Sequence, residues 1–122
     1  MDIEKLYTVD LHEAGAEVQI NGPDGKPTDI FIKMVGIDSK TWRNIIKRKE
    51  RALLKMSYDE IAEVEDGYLI LAEATLGWRG IESNGKPVEF SKKKAEQLYK
   101  NAPYIRDQVD VFIANRSNFM KG

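Results

Sequence analysis

One stretch separates two helical patterns, and the rest of the chain must fold around it: Leu76-Gly77-Trp78-Arg79-Gly80-Ile81-Glu82-Ser83-Asn84-Gly85-Lys86-Pro87-Val88-Glu89-Phe90-Ser91. Its middle is turn chemistry, because Asn-Gly accepts the positive backbone angles of a tight turn and Pro87 follows closely. Trp78 and Phe90 flank that turn. Each carries a large apolar area, so both rings are expected to be pinned to the core while the polar turn projects. The stretch therefore reads as an inter-helix connector, and Ser91 supplies a hydroxyl suited to capping the next helix. It holds no catalytic group.

Upstream, residues 1–16 place Ile3, Leu6, Tyr7, Val9 and Leu11 in an irregular apolar pattern that ends at Gly15. His12 is the only histidine, and near a chain end it is expected to be exposed or to act as a cap. A metal site would need further donors converging on it. Val18 and Ile20 alternate with polar residues, a turn cluster covers Asn21 to Pro27, and Ile30, Ile32 and Met34 resume the period of two. That is a β-hairpin with a loop longer than the tightest kind. Gly22 and Gly25 lack the companion residues of a phosphate-binding loop.

Asp38 or Ser39 is placed to cap a helix running to about Met56. On its wheel Trp42, Ile45, Ile46, Ala52 and Leu53 share one face, while Arg43, Lys47, Arg48, Arg51 and Lys55 crowd the other. Six basic residues stand against one acid, Glu50, between positions 43 and 55. Such a patch suits phosphate or an acidic partner. A solvated helix face is the preferred reading, because no aromatics interleave with the charges as single-strand binding requires. Ser57 and Glu60 have capping-box spacing for a second, acidic helix through about Thr75. Ile61, Val64, Tyr68, Leu71 or Ala72, and Leu76 form its inward stripe, Glu63, Glu65, Asp66 and Glu73 much of the remainder, and Gly67 is read as a close-packing position. Lys92-Lys93-Lys94 opposes the dipole at the start of a short helix, which hints at a use for the charge. Pro103 opens a last helix through Ile105, Val109, Phe112 and Ile113, which Asn118-Phe119 closes off.

The fold class expected is α+β and mainly α-helical: a β-hairpin, then about four helices. One domain spans 1–122, with the lead-in and hairpin in 1–37 and the helical part in 38–119. A chain of 122 residues can bury a core without staples. The expected core comprises Val18, Ile20, Ile32, Trp42, Ile45, Leu53, Ile61, Val64, Tyr68, Leu71, Trp78, Phe90, Leu98, Ile105, Val109 and Phe112. Cysteine is absent, which removes disulfides and thiolate metal sites and fits a reducing compartment. No signal core opens the chain and no run is long enough to span a bilayer, so the cytoplasm is the expected location. A net charge of −1 supplies no global field toward nucleic acid or membrane. Ser91 to Lys94 matches SxxK without its companion motifs. Glu63 and Asp66 form only an ordinary charged pair one helical turn apart. The expectation is a protein that is not an enzyme, binds no metal or cofactor, and acts through a groove or a sheet edge.

The order Gly77-Trp78-Arg79-Gly80-Ile81, then Gly85-Lys86-Pro87-Val88-Glu89-Phe90-Ser91, Pro103-Tyr104-Ile105 and Asn118-Phe119 resembles the small tail assembly chaperones of long-tailed bacteriophages. The hairpin followed by Gly36-Ile37-Asp38-Ser39 resembles the front half of related phage proteins. The pattern spans Leu76 to Phe119 and covers the rest loosely. It implies a non-enzymatic chaperone that keeps the tape-measure protein soluble in the host cytoplasm while tail-tube subunits polymerise, and that is absent from the mature virion. It further implies a mostly helical, often self-associating chain, and a longer frameshifted form often accompanies such proteins. The partner surface expected is a groove near Trp42, Trp78 and Phe90, although both tryptophans also suit plain core positions. Two other functions fit the residues. One is a small nucleic-acid-binding or regulatory protein using the helix 43–55, and the other is a structural component of the tail.

Overall fold

The computed structural model describes residues 1–57 and 67–120. A 3-10 turn, Ile3–Leu6, leads into helix α1 (Val9–Ala14). Strands β1 (Ala16–Asn21) and β2 (Pro27–Met34) form the expected antiparallel hairpin, with Ala16 opposite Met34 and Val18 opposite Ile32. Its loop is tied by Gly22 N–H donating to the Lys26 carbonyl and by Asp24 Oδ1 accepting from Lys26 N–H. Alternation does its work here: Ile20, Ile32 and Met34 are fully buried. Beyond β2, Val35 is buried as well. The hairpin's outer strand is closed at one end, where the Gln108 side-chain amide donates to the Asn21 carbonyl and accepts from its N–H. That contact shields part of an otherwise pairing-competent edge.

Helix α2 (Lys40–Leu53) starts at Ser39, whose hydroxyl accepts from Trp42 N–H at 3.0 Å. Of the two caps offered by the sequence, Ser39 is the one used. The next described helix, α3, covers only Tyr68–Ala74. It does not continue unbroken from the expected start at Ser57, because Gly67 lies just before it with φ of 76°. A Cβ built on Gly67 would meet nothing within 4 Å, so this glycine serves a left-handed backbone angle and not close packing. Glu60 of the proposed capping box and the inward residues Ile61 and Val64 lie outside the described residues.

The larger correction concerns the aromatic connector. Thr75–Arg79 is a strand, β3, which pairs antiparallel with β2 to complete a three-stranded sheet ordered β1-β2-β3. Trp78 stands opposite Ile32 and Arg79 opposite Phe31, over whose ring the Arg79 guanidinium lies at 3.9 Å. Only the later part behaves as a projecting turn: β4 (Glu82–Ser83) and β5 (Lys86–Pro87) pair around Asn84 and Gly85, both with positive φ.

Helix turns into strand at Thr75 without a loop, which leaves helical carbonyls needing donors. The Thr75 hydroxyl donates to the Leu71 carbonyl at 2.7 Å, and Lys92 Nζ reaches the carbonyls of Glu73 (2.7 Å) and Thr75 (2.6 Å). The first of the three lysines thus places its charge at the negative end of α3, a more favourable position than the dipole of its own helix offers. Burial holds the Lys92 ammonium below its usual range, opposed by nearby Glu73.

Helices α4 (Lys92–Asn101) and α5 (Pro103–Ala114) follow as expected, with Ser91 accepting from Lys94 N–H and Pro103 in the first turn. A 3-10 turn, Arg116–Phe119, ends the described chain and buries Phe119. Ile20, Ile32, Ile45, Leu71, Ile105 and Val109 are core residues as expected, whereas Val18, Trp42, Tyr68, Trp78, Phe90, Leu98 and Phe112 pack only partly buried against them. Leu53 is half-buried and lies on a groove wall.

A buried hydroxyl pair anchors the α3–β3 corner. Thr75 gives its proton to Leu71, so Tyr99 OH is the donor in the 2.7 Å contact between the two side chains. Burial raises the Tyr99 phenol to about 12, the Thr75 contact acting against it. Thr75→Val strands the Tyr99 hydroxyl and leaves a helix carbonyl bare, at a cost of about 2 kcal/mol. Tyr99→Phe removes the donor and its partner's need together and costs about 1 kcal/mol. Urea unfolding of both variants checks this order, and an equal or reversed pair of losses contradicts the proton assignment.

Candidate functional site

The three aromatic residues expected to line a partner groove are not gathered into one cavity. Trp78 on β3 and Phe90 after β5 meet edge to face, with centroids 5.1 Å apart and planes at 89°, while Trp78 Nε1 donates to the Val88 carbonyl at 2.8 Å. Both rings are half-buried against the core. The indole N–H is satisfied internally, so the pair fastens the connector to the sheet. Trp42 sits in the first turn of α2, also partly buried against the core, and has no ring contact among the described aromatic pairs.

The basic set fares differently. Arg43, Lys47, Arg48, Arg51 and Lys55 are all exposed, along α2 and just past its end. Arg48 Nη2 lies 2.8 Å from Glu73 Oε2 on α3, so an exposed ion pair links the basic helix to an acid of the next one. The acids Glu63, Glu65 and Asp66 lie outside the described residues.

Between α2 and α3 runs a groove of about 270 Å³. Its α2 wall is the stripe Ile45, Arg48, Lys49, Ala52, Leu53 and, past the helix end, Met56; Leu69, Ile70 and Glu73 form the facing wall. The α2 residues recur every three or four positions, the spacing of one helical face. Spacing places Ile45, Ala52 and Leu53 of this stripe on one face, but it sets Arg48 on the opposite, basic one, and it brings Trp42 and Ile46 to a face whose groove they do not line. The facing wall depends on α3 starting at Tyr68 and not at Ser57. The groove's volume falls just short of ordinary small-molecule pockets and suits a few aliphatic side chains. None of Trp42, Trp78 and Phe90 lines it. A second, more open depression of about 480 Å³ lies between β1 and α5, where Val18, Val111 and Phe112 mix with Asn21, Asp107 and Asn118.

His12 departs furthest from expectation: it is completely buried. Its Nδ1 accepts from Asp38 N–H at 3.1 Å, which assigns the ring proton to Nε2. Its ring stacks on Phe119 at 4.9 Å. Nε2 has no hydrogen-bond partner and lies 3.7 Å from Asp38 Oδ2. Asp38 also accepts from Thr8 Oγ1 and, through both carboxylate oxygens, from Arg116 Nε and Nη2. The hydrogen bonds from Arg116 and then Thr8 hold the Asp38 carboxyl at about 2. Burial lowers the His12 pKa, with Asp38 opposing and Arg116 reinforcing. The cluster joins α1, the α2 cap and the C-terminal turn. With its ring shut off from solvent, His12 fastens these three elements together.

Compared with known protein families, curated proteins and solved structures, the chain matches none.

Proposed function

We propose that this chain is a non-enzymatic phage tail assembly chaperone that shelters helical segments of the tape-measure protein during tail morphogenesis in the host cytoplasm. The observation carrying this reading is the apolar groove between α2 and α3, whose floor of Ile45, Ala52 and Leu53 faces Leu69 and Ile70. A groove of that lining suits the apolar stripe of an amphipathic helix. The order of Gly77-Trp78-Arg79-Gly80-Ile81, Gly85 to Ser91, Pro103 and Asn118-Phe119 supplies the second support. Among the described residues no helix is long and apolar enough to cross a membrane.

Co-expression with any long, helix-rich protein encoded next to this gene tests the proposal, and the absence of such a reading frame counts against it. A chaperone makes that partner soluble and co-purifies with it. A partner that stays insoluble with both this chain and any frameshifted longer form counts against the reading.

The exposed basic face of α2 favours one other function, binding of nucleic acid through phosphate contacts by Arg43, Lys47, Arg51 and Lys55. Such binding weakens steeply as salt rises. Undetectable affinity for generic DNA and RNA at low salt eliminates it.

A further inference from the structure

We infer that the α2–α3 groove selects an acidic amphipathic helix, and that the Arg48–Glu73 pair is a clasp across the groove which a carboxylate of that helix displaces. The inference rests on the proposed function in taking the partner to be helical; the sign of its charge comes from the groove itself. Arg48 and Lys49 sit within the apolar stripe, flanked by Ile45 and by Ala52 and Leu53. Their aliphatic stems extend the apolar floor while their charged heads stand at the rim. The helix carrying them continues the same sign outward, with Lys47 and Arg51 exposed on α2 and Lys55 just beyond it. Among the described residues Glu73 is the one acid in the lining, and it already engages Arg48 at 2.8 Å.

That pair is open to competition. The Arg48 side chain is 64% exposed and that of Glu73 44%, so solvent screens their attraction and little is lost when they part. A helix entering with aliphatic residues at i, i+3 and i+7 brings flanking carboxylates to Arg48 and Lys49, replacing one ion pair with two. A helix with a basic polar face meets like charge along the whole α2 rim. Electrostatic matching of this kind fixes partner choice and orientation more than total affinity.

The test uses the full chain and two synthetic labelled helical peptides that share one leucine–alanine stripe, one with a glutamate polar face and one with lysine. Fluorescence anisotropy should detect the glutamate peptide alone, with affinity falling as salt increases. Lys49→Glu should weaken it about tenfold, the effect of reversing one close charge. Lys49→Gln should weaken it less. Glu73→Gln should tighten it by about two- to threefold by releasing Arg48, an effect that a purely structural ion pair does not predict. Circular dichroism confirms that each variant is folded. Equal binding of the two peptides, or a folded Lys49→Glu protein with unchanged affinity, overturns the inference.

The same variant separates this inference from the function it extends. If Lys49→Glu solubilises the long neighbouring protein as well as the parent chain does, the chaperone stands and the groove assignment falls. If the parent chain binds the glutamate peptide but rescues no partner, the groove stands and the chaperone reading falls.

Discussion

Gly36→Ala should cost about 3 kcal/mol, at the upper end for a single overpacked position. A Cβ at residue 36 would lie 2.1 Å from His12 Nδ1 and 2.5 Å from its Cγ, inside any permitted contact. The ring has no room to retreat, since it is fully buried and stacked on Phe119. Gly36 N–H also donates to the His12 carbonyl at 2.9 Å, which holds the two backbones together. Relief must then come from expelling the imidazole, which breaks the Asp38 N–H contact and opens the joint between α1 and the C-terminal turn. His12→Ala alone leaves a cavity, but it removes the two closest clashes and leaves only the 2.9 Å approach to the Cβ of residue 12. The double variant should therefore be much less destabilised than the sum of the two single changes, by about 1–2 kcal/mol of coupling. Additive losses in a denaturant-unfolding cycle would show that the clash is absorbed elsewhere.

The second large effect is loss of stability in acid, arriving in two windows. His12 is neutral when folded, and its folded pKa lies below the unfolded value of about 6.5. As pH drops below about 6.5 the unfolded chain takes up a proton that the folded chain refuses, so stability declines. Protonation also puts a second N–H on the ring, facing the Asp38 N–H that Nδ1 now accepts. Asp38 behaves as a depressed carboxylate, ordinarily near 3.8 and held here at about 2. Its contribution is present above the unfolded value and disappears as pH falls from about 4 toward 2. With its side chain 14% exposed and Arg116 61% exposed, solvent screening limits that contribution to about 1–2 kcal/mol. Urea titrations at pH 7, 5 and 3 should show both declines. His12→Gln should abolish the slope between pH 7 and 5 while lowering stability throughout, and Asp38→Asn should shrink the acid window to the part that Glu13, also held low by Thr41, contributes. A His12→Gln protein that keeps the upper slope assigns it to other groups.

Local signals were legible where the determining contacts are close in sequence. The hairpin followed from alternation around a turn cluster, and Ser39, Ser91 and Pro103 announced three helix starts by chemistry that acts within one turn. Thr75–Arg79 escaped because nothing within it demands a strand. Gly77 weakens strand propensity, and the pairing that makes it one comes from Phe31 to Met34, some 45 positions away. His12 escaped for the same reason: its partners Gly36, Asp38 and Phe119 are distributed over the whole chain. The candidate site was half legible. Ile45, Ala52 and Leu53 and the basic flank could be read from spacing, whereas the place of Arg48 in the groove and the opposite wall depended on the packing of α2 against α3 and on where Gly67 allowed α3 to begin.

By itself the sequence determined the α+β class, the hairpin, the caps and the charge carried by α2, because periodicity, side-chain capping and composition act over a few residues. Only the tertiary structure decided that the aromatic connector joins the sheet, that the lone histidine is a core residue, and that Lys92 caps another helix. It also decided that the apolar groove opens between α2 and α3 and not beside Trp78 and Phe90. Each of those outcomes depends on which distant segments exclude water together, and burial of that kind leaves no mark in local spacing.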